Sequence, residues 1–177
     1  LRVSQKRAVR YRWVMRIVHP PTSYTKAQRA ERRSLYLAGP FEAGEWRDEV
    51  ITALSDLDVD IYDPRNGIWE TPAALDVPAG SFAGMLSWQL ENAEQARVVI
   101  AWLPPGVPAM TATLQLGYLS AKRGGPKKGS TVIVGPDGEK GKNHLLRSFA
   151  GSTRIFFMGA LPDVIRGARY ELMRTDM

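Results

Sequence analysis

Residues 34–41 read Ser34-Leu35-Tyr36-Leu37-Ala38-Gly39-Pro40-Phe41, and this stretch, with the helical pattern it turns into, decides the fold. A short, mostly apolar run ends on Gly39-Pro40, a pair that stops a strand and turns the chain. Directly after it, residues 44–57 place Trp46, Val50, Ile51 and Leu54 on one helical face. The same alternation then repeats. A strand is predicted over 59–62, then the loop Asp63-Pro64-Arg65-Asn66-Gly67, then a long connection broken by Pro72 and Pro78. A helix over 82–96, an apolar strand over 97–103, a rigid loop over 104–108 and a helix over 111–122 come next. Beyond the basic turn at 123–129, a strand is expected over 131–135, a helix from about Asn143 and a strand over 154–158. Pro162 suits the first turn of a final helix. Short apolar strands alternating with helices imply an α/β domain. The arrangement expected is doubly wound, flavodoxin-like or Rossmann-like, with a mostly parallel five-stranded sheet and helices on both faces.

Composition narrows the chemistry. The chain has 177 residues, 44% of them hydrophobic, enough for one well-filled core and too many for a disordered chain. It has no cysteine, which excludes disulfides and thiolate metal sites. His19 and His144 stand far apart in unrelated contexts, so no metal and no cofactor is expected. No apolar run approaches the roughly 18 residues of a membrane span, and a soluble domain is expected.

The net charge of +6 is unevenly distributed. Residues 1–33 hold ten Lys/Arg against the single acid Glu31, whereas the remainder holds 14 against 17 acids. The chain therefore divides into a basic extension (1–33) and an α/β domain (34–177). The extension breaks at His19-Pro20-Pro21, and Thr25 suits the cap of a short helix running to Arg33. Arg7, Arg10, Arg12, Trp13 and Arg16 are its candidate partner-binding residues: cations for an acidic surface, with an aromatic anchor. The interspersed Val9, Val14, Ile17 and Val18 favour protein subunits as the partner, and RNA is the alternative. An Arg-rich, acid-poor start on Leu1 is similar to a mitochondrial targeting sequence, so a mitochondrial location is expected, with the cytoplasm as the alternative.

In doubly wound sheets, ligands bind beyond the carboxyl ends of the strands. Three loops are expected to converge there: Gly39-Pro40-Phe41, residues 63–68 and residues 104–110. The helix starting near Thr111 adds free N–H groups that attract an anion. Arg65 is suited to a phosphate or carboxylate, or else pairs with Asp63 or Glu70.

These segments, together with Trp46-Arg47, Asp63-Pro64-Arg65 with Trp69, Trp88-Gln89, Ala96-Arg97-Val98-Val99-Ile100 and Leu114-Gln115-Leu116-Gly117-Tyr118, resemble the nucleoside 2-deoxyribosyltransferase family over roughly residues 34–135. The resemblance implies a Rossmann-like fold that forms dimers or larger oligomers. It also implies a nucleoside or nucleotide pocket built from Gly39, Pro40, Phe41, Asp63, Arg65, Trp69 and Gln115. In that family a glutamate in a Glu-hydrophobic-Gly helix attacks the anomeric carbon, and a second acid on the preceding helix positions the sugar or moves a proton. Carried over position by position, the nucleophile falls on Gln115 and the second acid on Gln89, while Arg97 stands where relatives place an aspartate after alanine. An uncharged amide serves neither as a carboxylate nucleophile nor as a general acid or base. Glu91 and Glu94 lie about 200° and 500° around the helix from Gln89 and should point elsewhere. The expectation is a catalytically inactive domain of this type. It would serve as a structural or accessory subunit of a larger assembly, such as a mitochondrial ribosome or respiratory-chain complex. The alternatives are an active N-glycosidase or 2-deoxyribosyltransferase with a relocated acid, and a nucleotide-sensing module that binds without turnover.

Overall fold

The structure, a computed structural model, describes residues 14–22, 24–25, 28, 32–41, 44–65, 79–121, 131–135 and 155–174. Its strands are β1 (Arg16–Val18), β2 (Arg33–Ala38), β3 (Val59–Tyr62), β4 (Val98–Trp102), β5 (Thr131–Gly135) and β6 (Ile155–Phe157). They form one sheet in the order β1-β3-β2-β4-β5-β6, and every neighbouring pair is parallel. The helices are α1 (Trp46–Ala53), α2 (Ala79–Gln95), α3 (Met110–Ala121) and α4 (Leu161–Met173). The doubly wound class is as expected. The helix expected near Asn143 lies outside the described residues.

Period-two alternation explains why both faces are covered. Leu35 and Leu37 of β2, with Val98 and Ile100 of β4, pack against α1 and α4. Their neighbours Tyr36, Ala38, Val99 and Ala101 point the other way, into a core that includes Trp88 of α2 and Ala112, Leu116 and Leu119 of α3. Each fully buried aliphatic side chain contributes about 1.5–3 kcal/mol relative to exposure. That is why these short strands carry no charged residue at their centres, with one exception.

The exception is Asp60 in β3, and it accounts for a correction: the sheet has six strands, not five. Asp60 is only 1% exposed, and a buried carboxylate is costly unless it is paired. Arg16 of β1 supplies the pairing, donating from Nε and Nη2 to Oδ1 and Oδ2, both at 2.7 Å. Arg32 Nε adds a third bond at 2.9 Å. A three-residue strand is too short to show as a periodic pattern, and this one lies in a basic stretch. Pairing with β3 and burial of Val18 make it a strand. Two expectations change as a result. Arg16, read as a partner-binding residue, is used inside the domain and also lies over the Tyr24 ring at 4.6 Å. The folded unit also begins well before residue 34. Arg7, Arg10, Arg12 and Trp13 lie outside the described residues.

The segment after β1 stays on the domain. The Asp63 amide donates to the Val18 carbonyl (3.0 Å), His19 Nδ1 donates to the Asp63 carbonyl (3.2 Å), and Trp88 Nε1 donates to the Thr22 carbonyl (2.7 Å). Thr25 and Gln28 cap one another reciprocally: the Thr25 amide bonds the Gln28 side chain, and the Gln28 amide bonds the Thr25 hydroxyl. No helix among the described residues is long and apolar enough to cross a membrane.

Candidate functional site

Between β2 and β4 the strand order reverses, and there the loops after β2, β3 and β4 open a cavity of about 150 Å³. Its polar lining groups are Tyr36, Gln89, Thr111 and Gln115, and Phe41, Pro40, Pro64 and Met110 supply apolar walls.

The wall formed by Gly39-Pro40-Phe41 is held from behind by Arg47, one of the largest fully buried side chains. Arg47 Nη2 donates to the Gly39 carbonyl (2.6 Å) and Nη1 to the Pro40 carbonyl (3.0 Å). Its guanidinium lies over the Trp46 ring at 4.5 Å and faces Asp63, with Nε 3.7 Å from Oδ1. Gly39 admits no side chain: a Cβ would stand 2.7 Å from Trp46 Cζ2 and 2.9 Å from the Trp102 carbonyl oxygen. Trp46 and Trp102 stack at 6.1 Å over this bend. The loop's shape is thus fixed by one buried cation and two tryptophans.

Asp63 is completely buried and serves as the hub of an ion-pair chain. Arg65 donates to it from Nε (2.8 Å) and from its own backbone amide (3.1 Å), then pairs with Asp48 through Nη2 (2.7 Å) and Nη1 (3.2 Å). The hydrogen bonds from Arg65 hold the Asp48 carboxyl below its ordinary value, and those from Asp48 and Asp63 raise the Arg65 guanidinium further. Of the residues expected to bind ligand, Gly39, Pro40, Phe41 and Gln115 line the cavity. Asp63 and Arg65 are not among its lining residues and satisfy one another instead, the alternative that the sequence leaves open. Trp69 lies outside the described residues.

The cavity floor is the finding of most consequence. Gln89 of α2 and Gln115 of α3, 26 residues apart in sequence, meet in a buried hydrogen bond: Gln115 Nε2 donates to Gln89 Oε1 at 2.7 Å. The same Nε2 reaches the Tyr36 hydroxyl at 3.2 Å. Gln115 Oε1 is buried and finds no partner among the described residues. Burial raises the Tyr36 phenol well above its ordinary value, against the opposing effects of the Gln115 hydrogen bond and the Arg47 charge, so Tyr36 stays protonated. In the sequence, Tyr36 stands out only as part of a strand. Its one signal is a polar-tipped ring within Leu-Tyr-Leu-Ala, close to the bend at Gly39.

No carboxylate among the described residues lines the cavity. Glu94 accepts a hydrogen bond from Tyr118 on α3 (2.8 Å), and Glu91 is exposed beside Gln95. Arg97, the departure from the family's aspartate, does not line the cavity. It precedes β4 at the opposite edge of the sheet, where Nε donates to the Glu171 carbonyl (3.0 Å) and Nη2 to the Arg174 carbonyl. A cation there satisfies the free carbonyls ending α4. The first turn of α3 carries no acid either, and its first residues, Met110, Thr111 and Ala112, line the cavity. Among the described residues, no group of three or more His, Asp or Glu is placed to hold a metal ion.

Comparison with known proteins gives a consistent picture. The family described as "Nucleoside 2-deoxyribosyltransferase like" matches residues 32–129. Among solved structures, the chain is similar to a CMP N-glycosidase from Clostridium botulinum. That match has 12% identity and a TM-score of 0.51, covering 77% of this chain and 99% of that one. It is also similar to a 2-deoxyribosyltransferase from Bacillus psychrosaccharolyticus, with 20% identity and a TM-score of 0.51, covering 75% of this chain and 90% of that one. At these identities the likeness is one of fold. No curated protein matches the chain.

Proposed function

The chain belongs to the nucleoside 2-deoxyribosyltransferase-like family, and on that premise we propose that its cavity holds a nucleoside or nucleotide without cleaving it. One observation carries this reading: the Gln115–Gln89 hydrogen bond of 2.7 Å occupies the two positions onto which the family's nucleophile and second acid carry over. Transfer with a covalent sugar intermediate needs an ionised carboxylate to attack the anomeric carbon and another group to manage the proton. Two amides bonded to one another supply neither. They do supply hydrogen-bonding groups for a sugar, in a cavity walled by Phe41 and three prolines.

The test is direct. Purified protein is incubated with a panel of ribo- and deoxyribonucleosides and their monophosphates, and both base release and thermal stabilisation are read. Stabilisation without base release is the expected result. Base release above the rate of a heat-killed control overturns it. That outcome would favour the second reading, an active N-glycosidase or 2-deoxyribosyltransferase with a relocated acid. In support of that second reading, both similar solved structures are described as enzymes.

For the biological role we infer an accessory subunit of a larger assembly, with a mitochondrial complex as its setting. The support is the concentration of ten Lys/Arg against one acid in residues 1–33. Because Arg16 and Arg32 are used within the domain, the cations available to a protein or RNA partner are concentrated in residues 1–13. Native-size analysis of the endogenous protein, with mass spectrometry of what co-migrates, checks this. A small free oligomer as the sole species would remove the assembly role.

A further inference from the structure

Family chemistry at such a site passes through a positively charged, oxocarbenium-like sugar, and negative charge beside the ring is what stabilises it. Among the described residues, this cavity has the opposite electrostatic character. Its floor consists of two neutral amides and a phenol that stays protonated. The twelve-residue α3 helix points its amino end, with partial positive charge, at the same space, and no acid in its first turn offsets that charge. Arg47 lies behind the wall; Asp63 is its counter-charge.

The unused hydrogen-bonding capacity is equally specific. Gln115 is 2% exposed, and its Oε1 is an acceptor without a partner among the described residues. The Tyr36 hydroxyl accepts from Gln115, and its own hydrogen finds no acceptor among the described residues. One acceptor and one donor within the reach of a single side chain are what a hydroxyl group satisfies, since it donates and accepts at once. The volume of about 150 Å³ is below that of a typical drug-sized pocket and is enough for the sugar ring of a nucleoside.

We propose that this cavity recognises an uncharged furanose through a ring hydroxyl seated between Gln115 and Tyr36, and that it rejects a positively charged furanose. The proposal rests on the nucleoside-binding reading above and sharpens it. The site has become a binder of the ground-state sugar, with the charge preference of a glycosyl-transfer site reversed.

The experiment compares two nearly isosteric sugar mimics on the whole chain by calorimetry at neutral pH: anhydroribitol, whose ring oxygen is neutral, and the corresponding iminoribitol, whose ring nitrogen is protonated. Cytidine and CMP serve as controls. The expected result is that anhydroribitol binds at least about tenfold more tightly than iminoribitol, because a unit charge in a partly desolvated site outweighs one hydrogen bond. Gln115→Glu should reverse that order. The wild-type comparison stands alone if this variant does not fold. Equal or tighter binding of iminoribitol to the wild type overturns the charge preference and leaves nucleoside binding intact. Binding of cytidine with neither mimic overturns recognition through the sugar. If cytidine, CMP and both mimics all fail to bind, the binding reading falls, and this proposal with it.

Discussion

The two edges of the sheet treat buried polar groups in opposite ways. At the amino edge, nearly every such group is saturated. Asp60 accepts from Arg16 and Arg32, Arg97 donates to the carbonyls ending α4, and Thr131 donates to the buried Glu171 at 2.8 Å. At the carboxyl edge, Arg47, Asp63 and Arg65 are engaged with one another and with the bend at Gly39, and they fix a wall. The groups that face the cavity are neutral and incompletely used, with Gln115 Oε1 the clearest case. Unsatisfied buried polar groups are rare in native proteins because each costs stability. Among the described residues with such an atom, Gln115 alone lines the cavity, at the strand-order reversal, and it marks that edge as the one that meets a ligand.

This contrast can be broken at its strongest point first. Asp60→Ala removes the buried carboxylate shared by the half-buried Arg16 and by Arg32, which keeps its pairing with Asp58, and a loss of about 3 kcal/mol is expected in urea unfolding, with β1 detaching. A loss below about 1 kcal/mol would mean the amino edge is not the ionic anchor it resembles. Arg47→Met should cost about 2 kcal/mol, since two carbonyls lose a charged donor, and should speed amide exchange at Gly39 and Phe41 before the core strands exchange.

Gln115→Met turns the comparison round. It removes a group that is itself only partly satisfied but orphans the buried Gln89 Oε1, so a stability loss of about 1–2 kcal/mol is expected. Stabilisation by nucleosides should disappear in the same thermal scan. Equal losses in both would make Gln115 a packing residue. A pH scan sharpens the point. Because burial raises the Tyr36 pKa, the stability linked to its protonation is full below about pH 10 and is lost as pH rises beyond that towards the raised folded value. Alkaline melts of Tyr36→Phe should therefore fall less steeply than those of the wild type. The smallest effect is expected at Asp48, the exposed end of the Arg65 chain. Asp48→Ala should cost less than about 1 kcal/mol at neutral pH. With its pKa lowered by Arg65, that contribution is present above about pH 4 and fades as pH falls through the folded value, where wild type and variant should converge.

Much of the domain is legible in the sequence because its signals are local. The strand over 59–62 and the strand over 131–135 match β3 and β5 residue for residue, since each is a short run rich in β-branched residues bounded by turn or polar residues. Gln89 and Gln115 stand out through the family resemblance, which carries its two acids onto them. What escapes a reading of the sequence is non-local. β1 depends on Asp60, 44 residues away, for its reason to be a strand. Arg97 departs from the family's aspartate, and only strand direction shows that it lies at the far edge, against the end of α4. Arg65 looks available because its partner Asp48 lies 17 residues back, on a helix whose placement the sequence does not state.

By itself, then, the sequence determined the strand–helix alternation, the neutral residues where carboxylates were expected and the segregation of positive charge. These depend on side-chain chemistry and on periodicity along the chain. The tertiary structure alone decided which cations were already taken, and that Gln89 and Gln115 share one hydrogen bond. It also decided that one oxygen of that pair remains without a partner among the described residues. Such outcomes depend on distances between segments far apart in sequence, and burial is what makes each paired or unpaired group matter.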